Sequence, residues 1–180
     1  MAESPRDDAS ARATAAAAAL LDALGLDVTS ERLRQTPQRF ATALAELVDR
    51  PPLPEIGYLP SEDFHDLVLV RDIPFQALCE HHLFPFRGVA HVGYLPGERI
   101  VGLSTLARVV EHFAHGLQMQ ERLTAQIVDW LERELQPRGA GVVIEAEHLC
   151  MSLRGIGTPA TRTTTRAFRG ELTTFEENPS

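Results

Sequence analysis

Hydrophobic and polar positions change their period several times along this chain, and each change marks an element. From Ala11 to about Leu24 alanine and leucine dominate, which predicts a helix closed by Gly25. Thr36-Pro37 reads as an N-cap followed by proline in the first turn. Phe40, Ala41, Leu44 and Leu47 then recur at helical spacing until Pro51-Pro52 stops them. The stretches 65–71 and 88–95 have the β-branched and aliphatic content of strands. Between Ser104 and Glu134 apolar residues return every three or four positions, from Leu106 to Phe113 and from Leu123 to Leu131. This predicts two helices broken near Gly116 and closed by Pro137 and Gly139. Val142, Ile144, Ala146, His148 and Cys150 alternate along a strand predicted over 141–150, which puts His148 and Cys150 on one face. A threonine-rich stretch, 161–169, adds a further strand.

Residues 1–10 are polar without periodicity and read as a disordered leader, and 11–180 as one domain whose N-terminal helices occupy about 11–50. At 180 residues, with 44% hydrophobic and 23% charged, the composition is that of an ordinary globular chain. No apolar run is long enough to cross a bilayer. The alanine-rich stretch follows Asp7 and Asp8 rather than basic residues, so no membrane or secretion is expected, and a cytoplasmic location is. A net charge of -8 gives no basic footprint for nucleic acid. All 17 basic residues are arginine, which excludes a lysine Schiff base and leaves guanidinium groups to hold any anion.

Both cysteines and three of the seven histidines fall in two short clusters, Cys79-Glu80-His81-His82 and His148-Leu149-Cys150. Soft thiolate and imidazole donors at such spacing suit zinc. Cys79, His82 and Cys150 as ligands leave a fourth tetrahedral position for water, and His81 and His148 then remain as imidazoles able to carry protons. Two other readings stand beside this one: buried thiols with satisfied core histidines, or a closed structural zinc with His148 as fourth ligand. Glu80 is the weakest member and is expected to face solvent, with support of a ligand as its other role.

Together with Gly102-Leu103-Ser104, the run Gln118 to Thr124, Arg154-Gly155 and Thr36-Pro37-Gln38-Arg39, these clusters resemble GTP cyclohydrolase I from about Leu26 to Glu177. The resemblance implies an α+β tunnelling fold with a core at about 63–177, an antiparallel sheet backed by helices and preceded by N-terminal helices. It implies a homodecamer with active sites between subunits. The implied reaction opens the imidazole ring of the guanine of GTP, releases formate and gives 7,8-dihydroneopterin triphosphate. Family ligands to zinc match Cys79, His82 and Cys150, and family proton carriers match His81 and His148. Glu121, with Gln120 beside it, falls where the family binds the guanine edge. Arg39, Arg108 and Arg154 fall where it binds the triphosphate, with Ser104 near ribose or phosphate.

Two family lysines that reach phosphate are Thr42 and Thr105 here, a loss of positive charge that raises the alternative of a different or less phosphorylated purine nucleotide. The family's usual closing helix is also missing before Ser180, so a less stable interface is expected. A non-catalytic, zinc-bound assembly module would not need both His81 and His148. A nucleobase deaminase would carry His-x-Glu and Pro-Cys-x-x-Cys, and neither occurs.

Overall fold

The computed structural model describes residues 5–62, 64–154, 157 and 161–175, and the chain divides into two compact units, 1–49 and 50–180. The first unit is a pair of packed helices, α1 (Pro5–Ala23) and α2 (Thr36–Val48). Helix α1 starts earlier than composition suggested: residues 5–10, expected in a leader, are already helical, with Asp7 and Asp8 in the first turn where the helix dipole favours acids. The rest of that leader, residues 1–4, lies outside the described residues. Gly25, at φ 81°, ends α1 with Gly25 N–H donating to Asp22 O and Leu26 N–H to Leu21 O, a Schellman arrangement. The N-cap of α2 is Gln35 rather than Thr36, and no side chain caps it.

In the second unit a small antiparallel pair, β1 (Tyr58–Pro60) with β4 (Arg99–Val101), accompanies the main sheet. That sheet comprises β2 (Val68–Cys79), β3 (Pro85–Leu95), β5 (Leu117–Gln118), β6 (Gly139–His148) and β7 (Arg162–Gly170), in spatial order β5-β2-β3-β6-β7. All its pairings are antiparallel except the two-residue β2–β5 contact. Helices α3 (Leu103–Ala114) and α4 (Gln120–Leu135) back one face, giving the expected α+β layout of an antiparallel sheet covered by helices.

The core lies between them. Leu106, Val109, Val110, Leu123, Ile127, Trp130 and Leu131 from the helices meet Phe86, Ala90, Val92 and Tyr94 of β3 and Ala140, Val142, Ile144 and Ala146 of β6. Period-two alternation from Ile144 and Ala146 therefore places His148 on the helix-covered face. Gly88 permits the tightest approach of β3 to β6, since a Cβ there would lie 1.8 Å from Glu145 O.

β2 runs well beyond the strand expected over 65–71. Asp72, at φ 57°, sits in a bulge between the pairs at Val70 and Ile73, and its N–H donates to His91 Nδ1 at 3.2 Å. Pro74 is tolerated two residues later because β2 lacks a second neighbour there, β5 reaching only Leu78 and Cys79. β6 stops at His148, so Cys150 is not on the strand predicted over 141–150 but in the single-turn helix α5 (Leu149–Ser152). The ladder ends because the last β3 partner is Phe86, and the next residue, Pro85, has no N–H to offer.

Candidate metal centre and base pocket

Cys79 ends β2 and is buried, its N–H donating to Phe84 O and its carbonyl accepting from the N–H groups of His82 (3.4 Å) and Leu83 (2.8 Å). That tight turn is completed by Leu83 at φ 58°. From the other side of β3, His148 closes β6 and Cys150 follows in α5. Ligating atoms of Cys79, His148 and Cys150 all lie within 4.8 Å of one another. A tetrahedral zinc holds thiolates about 3.8 Å apart, so two sulfurs and a ring nitrogen fit such an ion after contracting by about 1 Å.

His82 is not in that group. It lies exposed on the turn, as does His81, whose Nδ1 is 3.8 Å from Cys79 Sγ. The structure thus gathers one histidine from the distant strand, and the sequence had given that ligand place to the neighbouring turn.

The His148 ring is held in two directions. It stacks in parallel on the fully buried Phe86, centroids 4.7 Å apart, and its Nε2 lies 2.8 Å from Gln120 Oε1. Gln120, at the start of α4, is itself 1% exposed, and its Nε2 donates to Ile144 O (3.1 Å), Thr163 O (2.9 Å) and Thr165 Oγ1 (3.2 Å). Burial pulls the His148 pKa below the usual imidazole range, and the Glu121 carboxylate opposes that. Burial also pushes the Cys150 thiol up, the Cys79 sulfur adds to the rise, and Arg154 works against it. Glu121 and Arg154 are both exposed and close enough to act electrostatically on the cluster.

Glu80 does more than face solvent. Arg122 Nη2 donates to Glu80 Oε2 at 2.5 Å and to Leu117 O at 3.0 Å, while its Nε donates to Gln118 Oε1 at 2.8 Å. Glu80 N–H also donates to Gln118 O. The turn carrying Cys79, His81 and His82 is therefore tied to the start of α4. Gln118 and Arg122 stood in the family-like run without a role of their own, and Phe86 was not singled out; an arginine, an amide and an aromatic carry no chemical signature until strand register brings them to the cluster.

Ser104 and Arg108 sit one turn apart on the exposed face of α3, and no hydrogen bond joins either to the cluster among the described residues. Thr105, between them in sequence, is 8% exposed and packs inward. Arg39 is an exposed residue of α2 in the first unit, donating to Gln35 Oε1 at 2.6 Å, and Thr42 is exposed on the same helix.

The cluster is thus two thiols and an imidazole that could hold a metal ion, on an α+β sheet backed by helices, with the Glu121 carboxylate in the first turn of the adjacent helix α4. The chain belongs to the GTP cyclohydrolase I family, whose sequence description it matches over residues 13–179. It is 52% identical over 169 residues to GTP cyclohydrolase 1 of Mycolicibacterium vanbaalenii, covering 91% of this chain and 84% of that protein. To GTP cyclohydrolase 1 of Streptococcus mutans it is 49% identical over 155 residues, covering 84% and 81%. The solved apo form of the archaeosine synthase QueF-Like aligns at 14% identity with a TM-score of 0.48, covering 59% of this chain and 96% of that one.

Proposed function

We propose that the chain hydrolyses the guanine imidazole ring of GTP, releasing formate and forming 7,8-dihydroneopterin triphosphate. The observation that carries this reading is the convergence of Cys79, His148 and Cys150 on one point beside Glu121, in a chain about half identical to relatives named for that enzyme. Zinc, when bound, supplies a Lewis acid that brings water's loss of a proton to near neutral pH.

Cys79 and Cys150 hold the metal from opposite sides of β3, with His82 as third ligand from the turn it shares with Cys79. His148, kept in place by Phe86 and Gln120, donates and accepts protons at the imidazole ring being opened, and His81 assists from the exposed side. A second reading, favoured by the close grouping of Cys79, His148 and Cys150, makes His148 the third ligand. Glu121 accepts from the N–H groups of the guanine edge; a base without those donors forfeits charge-assisted hydrogen bonds, which gives the discrimination. Arg154 and Arg108 supply charge for the triphosphate and Ser104 a hydroxyl for ribose or phosphate.

GTP itself is favoured over a less phosphorylated nucleotide. Identity to the named relatives spans 91% and 84% of the chain, and Thr105 occupies an inward-packing position rather than the exposed face of α3. We place the protein in the cytoplasm, where reducing conditions keep both thiols available; no helix among the described residues is long and apolar enough to cross a membrane. We also propose a homo-oligomer, a decamer. The outer side of β7 and most of the outer side of β2 have no strand partner among the described residues, and sheet edges of this kind pair with other copies. Turnover of GTP, GDP, GMP and guanosine tests the substrate assignment: GTP is expected to give the highest kcat/KM, and equal turnover of guanosine refutes a triphosphate site.

A further inference from the structure

The base-pocket role that resemblance gives Gln120 conflicts with its surroundings. Its side-chain amide is buried with every polar atom engaged: three oxygen acceptors surround Nε2, and Oε1 meets His148 Nε2. Exchanging the amide's oxygen and nitrogen would set Oε1 against the carbonyl oxygens of Ile144 and Thr163, so the orientation is determined by the network. Oε1 is then an acceptor, and His148 Nε2 must be the donor.

We propose that Gln120 is a positioning residue that fixes neutral His148 as its Nε2–H tautomer, leaving Nδ1 as the one basic nitrogen of the ring. Phe86 sets the plane of the ring and Gln120 sets which edge carries the proton, so the nitrogen that handles the reaction's proton is determined before substrate arrives. The anchor is braced from α4 and from β7: Thr124 Oγ1 donates to Gln120 O at 2.8 Å and lies 2.6 Å from Thr165 Oγ1. Guanine selection then falls to Glu121 alone of the adjacent pair. The inference rests on His148 acting as proton carrier.

The test is nitrogen NMR of protein labelled with ¹⁵N-histidine, both metal-loaded and metal-free, with the His148 signal assigned by its loss in His148→Asn. The expected wild-type result is a protonated Nε2 and an unprotonated Nδ1. In Gln120→Leu the tautomer signature should change or become mixed, with kcat falling about 10- to 100-fold and KM for GTP little changed. A wild-type His148 protonated at Nδ1 overturns the proposal, and needs no variant to fold. A Gln120→Leu protein with an unchanged tautomer and a raised KM also overturns it, returning Gln120 to the base pocket. An Nε2–H wild type that does not open GTP would instead overturn the functional reading and leave the tautomer assignment standing.

Discussion

Phe86 and His148 face each other directly across the β3–β6 ladder, their rings parallel and 4.7 Å apart. A core residue and a chemical residue are thus one packed unit. In Phe86→Leu the aliphatic side chain refills most of the space but provides no flat surface, so stability should drop by about 1 kcal/mol. Activity should drop further than that stability loss explains, as the ring loses its fixed plane. Urea unfolding combined with steady-state kinetics checks the pair of effects, and an unchanged kcat would detach Phe86 from the site.

The Arg122–Glu80 pair is partly exposed, with side chains 42% and 30% accessible, so its contribution to folding should be below about 1 kcal/mol. Its effect on the turn holding Cys79 should be larger. Glu80→Gln and Arg122→Gln are expected to weaken zinc retention about 10- to 100-fold in chelator competition, with melting temperature nearly unchanged.

Metal retention also decides which histidine is the ligand. Cys150→Ser and His82→Ala should both release zinc, whereas His148→Ala should keep it and lose turnover. Elemental analysis of the three purified variants reads this directly. An empty site in His148→Ala, with zinc kept in His82→Ala, would make His148 the third ligand.

Tyr94 is fully buried and its hydroxyl accepts from Val101 N–H at 3.2 Å. Burial raises its pKa above the usual phenol value, with the Val101 bond opposing. An acid whose pKa is higher in the folded state gives full stability below the unfolded value of about 10 and loses it as pH climbs past that value. Tyr94→Phe should be less stable than wild type at pH 8 by about 1 kcal/mol, because Val101 N–H loses its acceptor. The gap should narrow towards pH 11, where the wild type alone bears the penalty of ionising a buried phenol. Parallel urea titrations at both pH values cancel the other titrating groups; a constant gap contradicts the assignment.

Most helices and strands were legible because each buries one face, and a buried face writes its period into the chain. α3 and α4 were read with their break at Gly116, at φ 88°, and the even positions of β6 face the core through Ile144 and Ala146. What failed depended on distant partners. Asp72 and Pro74 look like strand breakers, yet a bulge accepts the first and an open edge the second. Alternation carried the reading of β6 through Cys150, where Pro85 on the neighbouring strand had already ended the ladder. At the site, the cysteines and histidines announced themselves by type and spacing. Gln120 was legible only through resemblance, which placed it at the base, and its network shows it turned to His148.

Opening of a purine ring by this chain, with a metal held by its two cysteines, is what one experiment tests. The most direct measurement incubates zinc-loaded protein with GTP and quantifies formate and the fluorescent pteridine obtained after oxidation. One formate per GTP consumed, abolished in Cys150→Ser, is the predicted result. GTP recovered with its ring intact, from protein shown to carry stoichiometric zinc, would contradict it.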